Sequence, residues 1–235
     1  MEIQCVWEHN GGDSILYAVN FVGAFSRGGS LEQALEKMPR EVVSYSRWLG
    51  AEAPDVLTAA VVQEKASDLE IRDADSDVMF DLERLPMSGE EYARLKKLAM
   101  RSASDFHALY ESIADKNTSC LPFRRSFYGD VPRTAEEMYR HTRDVNSYYF
   151  SEIGVTADNS GTIEECRARA FEALERQLGY LRNTVFDGSY GEEWSLRKVL
   201  RRFVWHDRIH AKAMWRMAVK TFGEKGADNV FRFER

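Results

Sequence analysis

Cysteine is scarce and poorly placed for chemistry. The three that occur, Cys5, Cys120 and Cys166, are far apart and in no CxxC spacing, which argues against a disulfide framework and a cysteine-based zinc site. Nothing around Cys120 or Cys166 marks a thiolate-stabilising neighbourhood, so both read as inert. With 5 prolines and 15 glycines in 235 residues, a fibrous or low-complexity chain is excluded. No apolar run approaches the roughly 20 residues of a membrane helix, and no basic-then-apolar segment opens the sequence. A cytoplasmic protein without a membrane partner is the expectation. Positive charge is thin at the start: residues 1–88 hold 7 Lys+Arg against 16 Asp+Glu, a net of −9. A phosphate-binding surface needs clustered cations, so no nucleic-acid partner is expected. Residues 89–235 hold 25 basic and 22 acidic residues, interspersed as on solvated helices.

What is present divides the chain in two. In 1–88, Ile3–Trp7, Ile15–Phe21 and Thr58–Gln63 read as strands, with a turn at Asn10-Gly11-Gly12-Asp13. Ser30 and Gln33 have capping spacing before a helix whose period runs through Leu31, Ala34, Leu35, Met38, Val42, Tyr45, Trp48 and Leu49, closed by Gly50 and Pro54. The acidic run Asp68–Asp77 lacks the glycine and spaced ligands of a calcium loop and reads as an exposed loop.

From Ser88 the period becomes helical. Ser88/Glu91, Thr134/Glu137 and Thr162/Glu165 match the S/T-x-x-E capping box. Four apolar stripes follow: Tyr92, Leu95, Leu98, Phe106, Leu109 and Ile113; Met138, Val145, Tyr148, Tyr149 and Ile153; Ile163, Ala170, Leu174, Leu178 and Leu181; and Leu196, Val199, Leu200, Phe203, Met214 and Met217. Four amphipathic helices imply a four-helix bundle. The connection Asp115–Arg133 is long for a bundle, a length that often signals function. The fold class expected is therefore α+β in two domains, 1–88 and 89–235.

Of five histidines, three fall on these stripes. His141 lies between Met138 and Val145. His206 and His210 are four apart on the last helix and present two imidazoles on one face. A single histidine there would read as a hydrogen-bonded core residue. Three facing one core leave polar atoms to satisfy, and a divalent metal does so economically; three imidazoles plus water is a known zinc arrangement. The run His206-Asp207-Arg208-Ile209-His210 differs from HExxH by the shorter Asp and lacks a downstream histidine, so a protease is rejected. Glu137, four before His141, is a candidate pocket residue or ligand, although its capping role suffices to explain it. Arg202, four before His206, is a candidate contact for an anionic substrate against the ordinary solvated reading. Tyr148 and Tyr149 are candidate pocket walls against a core reading.

The bundle, His141 within Ala135–His141, and Glu193–Leu200 leading to His206 and His210 resemble the DinB/YfiT-like metalloenzyme superfamily over roughly Gly89–Gly223. The resemblance implies an up-down-down-up bundle whose three histidines hold zinc or, second, nickel, open to water or substrate. It further implies a metal-dependent enzyme, a transferase or hydrolase, of the kind that transfers low-molecular-weight thiols, with a small-molecule substrate. Asn20–Ser30 followed by Leu31–Glu36 is similar to HicB-like domains, implying a small α/β fold used for association, on the bundle or as a homodimer. The alternative is a binding protein in which the metal is structural and the HicB-like domain mediates association.

Overall fold

The computed structural model describes residues 1–126 and 128–234. The alternation near the start forms β1 (Glu2–Asn10) and β2 (Asp13–Ala18), antiparallel, with Asn10 paired to Asp13 across the two glycines. Gly11 has φ +55°, the left-handed backbone that tight hairpins require. β3 (Phe25–Gly28), a strand the sequence did not announce, pairs antiparallel with β2. The connection between them closes through Ala24 N–H donating to Phe21 O at 2.8 Å. Ser30 caps α1 (Leu31–Leu49) by accepting from Gln33 N–H, while Gln33 Oε1 reaches Gly29 N–H, so the cap is made one residue upstream of a standard box. Gly50, left-handed at φ 71°, ends the helix. β4 (Thr58–Ala66) runs longer than expected and pairs parallel with β1. The sheet order is β3-β2-β1-β4, with α1 packed on β2, β3 and β4.

The acidic run ends on an anchor to the sheet. Buried Glu8 accepts from Tyr17 OH at 3.0 Å, Ser76 Oγ at 2.6 Å and Asp77 N–H at 3.1 Å. Burial pushes its carboxyl pKa up, opposed by these hydrogen bonds.

The second unit contains a 3-10 turn (Asp81–Arg84), α2 (Gly89–Ser112), the short hairpin β5–β6 (Arg125–Ser126, Gly129–Asp130), α3 (Ala135–Ser151), α4 (Ile163–Glu175), the short pair β7–β8 (Phe186–Asp187, Glu193–Trp194) and α5 (Leu196–Phe222). Thr134 and Thr162 form complete capping boxes with Glu137 and Glu165. At α2 only half the box forms: Ser88 accepts from Glu91 N–H, and the Glu91 carboxylate pairs instead with Arg197. α5 packs on α2 and α3, and α4 packs on α2 and α3. Directions follow from paired ends. Tyr92 OH donates to Glu175 (2.9 Å) and Tyr110 OH to Glu136 (2.6 Å), so α4 and α3 run against α2. Ile163 N–H donates to Tyr139 OH (3.2 Å), and Arg197 meets Glu91, so α3 runs with α4 and α5 with α2. Among the described residues, no helix is long and apolar enough to cross a membrane.

Three expectations are corrected. The buried face of α3 is Met138, Tyr139, Thr142, Asn146, Tyr149 and Phe150; Val145 and Tyr148 are half-buried, because two polar side chains occupy the face that apolar spacing alone cannot recognise. α4 stops at Glu175, leaving Leu178 exposed. The units divide as Met1–Phe80 with Phe231–Arg235, and Asp81–Val230, not at residue 88. Glu83 explains the shift: its carbonyl accepts from Ser195 Oγ (2.8 Å) and Asn183 Nδ2 (2.7 Å), and its carboxylate pairs with Arg201.

Gly28 tests the packing of α1 on the sheet. A Cβ there would lie 2.8 Å from Gln33 Cβ and Ser30 O. Gly28→Ala is expected to destabilise the first unit by about 1–3 kcal/mol, measured by urea unfolding; an unchanged midpoint would contradict this packing.

Candidate metal centre

Every residue of α5 from Leu196 to Arg208 is buried, so its rotation is fixed by what surrounds it. Buried charge requires a partner, and partners are present on several sides. Arg197 meets Glu91, Arg201 meets Glu83, and Lys198 lies 2.8 Å from Glu192. Burial pushes the Lys198 ammonium down to about 8, against the pull of Glu192. Asp207 receives both arms of Arg167 (2.6 and 3.0 Å) and the Ser102 hydroxyl, with all three residues fully buried. The Arg167 guanidinium also lies 4.1 Å from the Phe203 ring centroid. Asp207 is thereby turned toward α4 and α2, away from any role as a base, which supplies a structural reason against a protease.

With α5 so oriented, His206 and His210 face α3, where His141 waits. Ring centroids lie 5.2 Å (His141–His206), 4.6 Å (His141–His210) and 4.4 Å (His206–His210) apart. One nitrogen from each lies within 4.8 Å of the others, the only such group of His, Cys, Asp or Glu among the described residues. Nitrogens on a tetrahedral zinc at 2.0–2.1 Å stand roughly 3.3 Å apart, so side-chain rotations of about an ångström bring them onto one ion. His206 is buried, whereas His141 and His210 are half-buried. His206 Nδ1 is buried without a hydrogen-bond partner, a cost that a bound cation removes.

The imidazoles are held neutral, the form that ligates. Burial, then the neighbouring His210, His141, Arg202 and Arg167, pushes the His206 pKa well below the ordinary range. His210 is pushed well below it by burial and His141, and His141 is lowered by burial against the opposing pull of Asp144.

The other sequence candidates separate. Glu137 is a cap: its carboxylate accepts from Arg133 and Thr134 N–H at 2.8 and 3.1 Å. Arg202 is buried rather than solvated, its guanidinium 5.4, 5.4 and 5.1 Å from the Tyr149, Trp194 and Trp205 ring centroids and 3.9 Å from Glu192. Tyr149, not Tyr148, stands edge-on to His206 at 6.0 Å; Tyr148 packs on Trp194 and lines a surface groove of about 450 Å³ with Ser147, Ser151 and Thr156. Tyr128, on the long α2–α3 connection, stacks on His141 at 5.6 Å. Only the length of that connection hinted at such a role. The remaining histidines make carboxylate pairs, His9 with Glu64 and His107 with Glu164, each 3.0 Å. Burial pushes the Cys5 thiol up to about 12 and raises that of Cys166, as inert thiols require.

No family model, curated protein or solved structure matches the chain.

Two outcomes follow from this geometry. Asp207→Ala strands the Arg167 charge in the interior and should cost about 3–5 kcal/mol in a urea titration; a loss under about 1 kcal/mol would show the pair is not integral. In metal-free protein, the unfolded chain takes up protons at the three imidazoles near pH 6.5 and the folded chain refuses them. Stability from these groups is therefore present above about pH 6.5 and lost as pH falls below it. Melting temperatures between pH 7.5 and 5 should fall less steeply for His206→Gln than for the parent, and parallel slopes would contradict the assignment.

Proposed function

We propose that the second unit is a divalent-metal site of the DinB/YfiT-like kind, with His141, His206 and His210 holding zinc or nickel. The observation that carries this reading is the convergence of three neutral imidazoles with an orphaned buried nitrogen. The helix directions, α2 and α5 one way and α3 and α4 the other, support the same kinship.

The half-burial of His141 and His210 favours a site that a small molecule reaches, and so an enzyme, of the thiol S-transferase or hydrolase type. A divalent cation held there supplies Lewis acidity that favours the deprotonated form of a bound oxygen or sulfur nucleophile at neutral pH. The protein's own residues position and exclude. Tyr149 stands against His206 and Tyr128 against His141, and the Arg202 charge adds to burial in lowering the His206 pKa and favours an anionic group nearby. The first unit then serves as a HicB-like association module, and its −9 balance over residues 1–88 opposes binding to phosphate backbones.

A structural metal is the second reading, favoured by the placement of His141 on α3 and the other two on α5, because an ion would tie the two helices together. Elemental analysis after dialysis against zinc or nickel should give one equivalent per chain, and His206→Ala or His141→Ala should weaken affinity by more than about 100-fold. Thiol consumption with an electrophilic acceptor should require the metal. Metal-dependent melting without turnover supports the structural reading, and stoichiometric metal retained by both variants defeats either.

A further inference from the structure

The long connection between α2 and α3 is held at its two ends and exposed between them. Cys120 N–H donates to Thr221 Oγ1 on α5 at 3.1 Å, and Thr134 caps α3. Between these anchors the β5–β6 hairpin is tied to itself. Val131 N–H donates to Arg124 O at 3.0 Å, Ser126 pairs with Gly129, and the Arg125 side chain donates to Asp130 Oδ1 at 2.9 Å. Residues 122–125 and 128–130 are exposed. A short two-stranded ladder with so little burial lies at the low-stability end of a fold, from which ligand-binding loops are drawn. Its aromatic residue Tyr128 is 40% exposed, yet its ring lies against His141, 5.6 Å between centroids and 29° from coplanar.

That placement puts Tyr128 on the open side of the three imidazoles. His206 is buried and has Tyr149 edge-on to it. His141 and His210 are half-buried, so a small molecule reaches the cluster past these two, and one of them carries the Tyr128 ring. We propose that Tyr128 is a specificity-determining residue of this centre: its ring walls the entrance and selects ligands that carry a flat, conjugated group beside their metal-binding atoms. The inference rests on the metal reading. A flat group lies against the phenol face in offset stacking, as His141 does, whereas a puckered ring of similar size makes no such contact. The selection needs the ring and not its hydroxyl.

Cobalt(II)-loaded full-length protein tests it, read by visible absorption of the bound ion. The parent, Tyr128→Phe, Tyr128→Ala and Tyr128→Leu are titrated with benzohydroxamate and cyclohexanecarbohydroxamate, which share chelating atoms and differ in a flat or a puckered ring. The ratio of the two dissociation constants should favour the flat ligand by roughly 2- to 10-fold more in the parent than in Tyr128→Ala. Tyr128→Phe should keep the parent ratio, and Tyr128→Leu, which retains bulk without a ring, should lose it. All four should bind one cobalt. A ratio unchanged by Ala and Leu, a ratio lost in Phe, or hydroxamates that leave the cobalt spectrum unmoved would each overturn the proposal. Failure of the metal reading shows earlier and separately: before any hydroxamate is added, cobalt does not bind, or its spectrum is indifferent to His141→Ala. In that case the proposal falls with it.

Discussion

The structure of the second unit depends on one constraint: α5 is buried along thirteen consecutive residues, Leu196 to Arg208, while carrying five cations there. A helix so placed cannot choose its rotation by hydrophobicity, since no face is free of neighbours. Charge decides it. The Arg167–Asp207 pair, with Ser102, fastens one side to α4 and α2, and Glu83, Glu91 and Glu192 meet cations on the N-terminal turns. Breaking such a pair costs far more than forming it gains, so the network specifies orientation more than it adds stability. The orientation it specifies turns His206 and His210 toward α3.

Much of this was legible in the sequence. The paired Thr and Glu at 134/137 and 162/165 announced two helix starts because the capping box is a local bargain between side chain and backbone. The four-residue step from His206 to His210 announced a shared face because helical geometry enforces it. The Trp48 stripe of α1 was legible for the same reason. Other features were not. Thr142 and Asn146 are buried although polar, since Asn146 Nδ2 finds Asp158 O at 3.1 Å, and that partner comes from tertiary structure. Tyr128 reaches His141 only because the β5–β6 hairpin folds back. The burial of Phe231 and Phe233 depends on α1, nearly the whole chain away. β3 was hidden because its four residues, Phe25–Gly28, are half small or glycine and carry no alternation.

The two units present different physical problems. The first is small, and below roughly 100 residues a domain buries a limited share of its surface; its Trp48 cluster and the satisfied Glu8 site concentrate what core it has. The second solves a charge problem, and its histidines lie next to that solution. Burial lowers the pKa of all three rings, and Arg202 and Arg167 add to it at His206; unprotonated rings are what a metal ion needs.

The most direct test is X-ray absorption on zinc-loaded protein. The account predicts three imidazole nitrogens at about 2.0–2.1 Å with one further light ligand, and loss of imidazole scattering when His141 is replaced. A first shell of oxygen alone, or of sulfur, would contradict it.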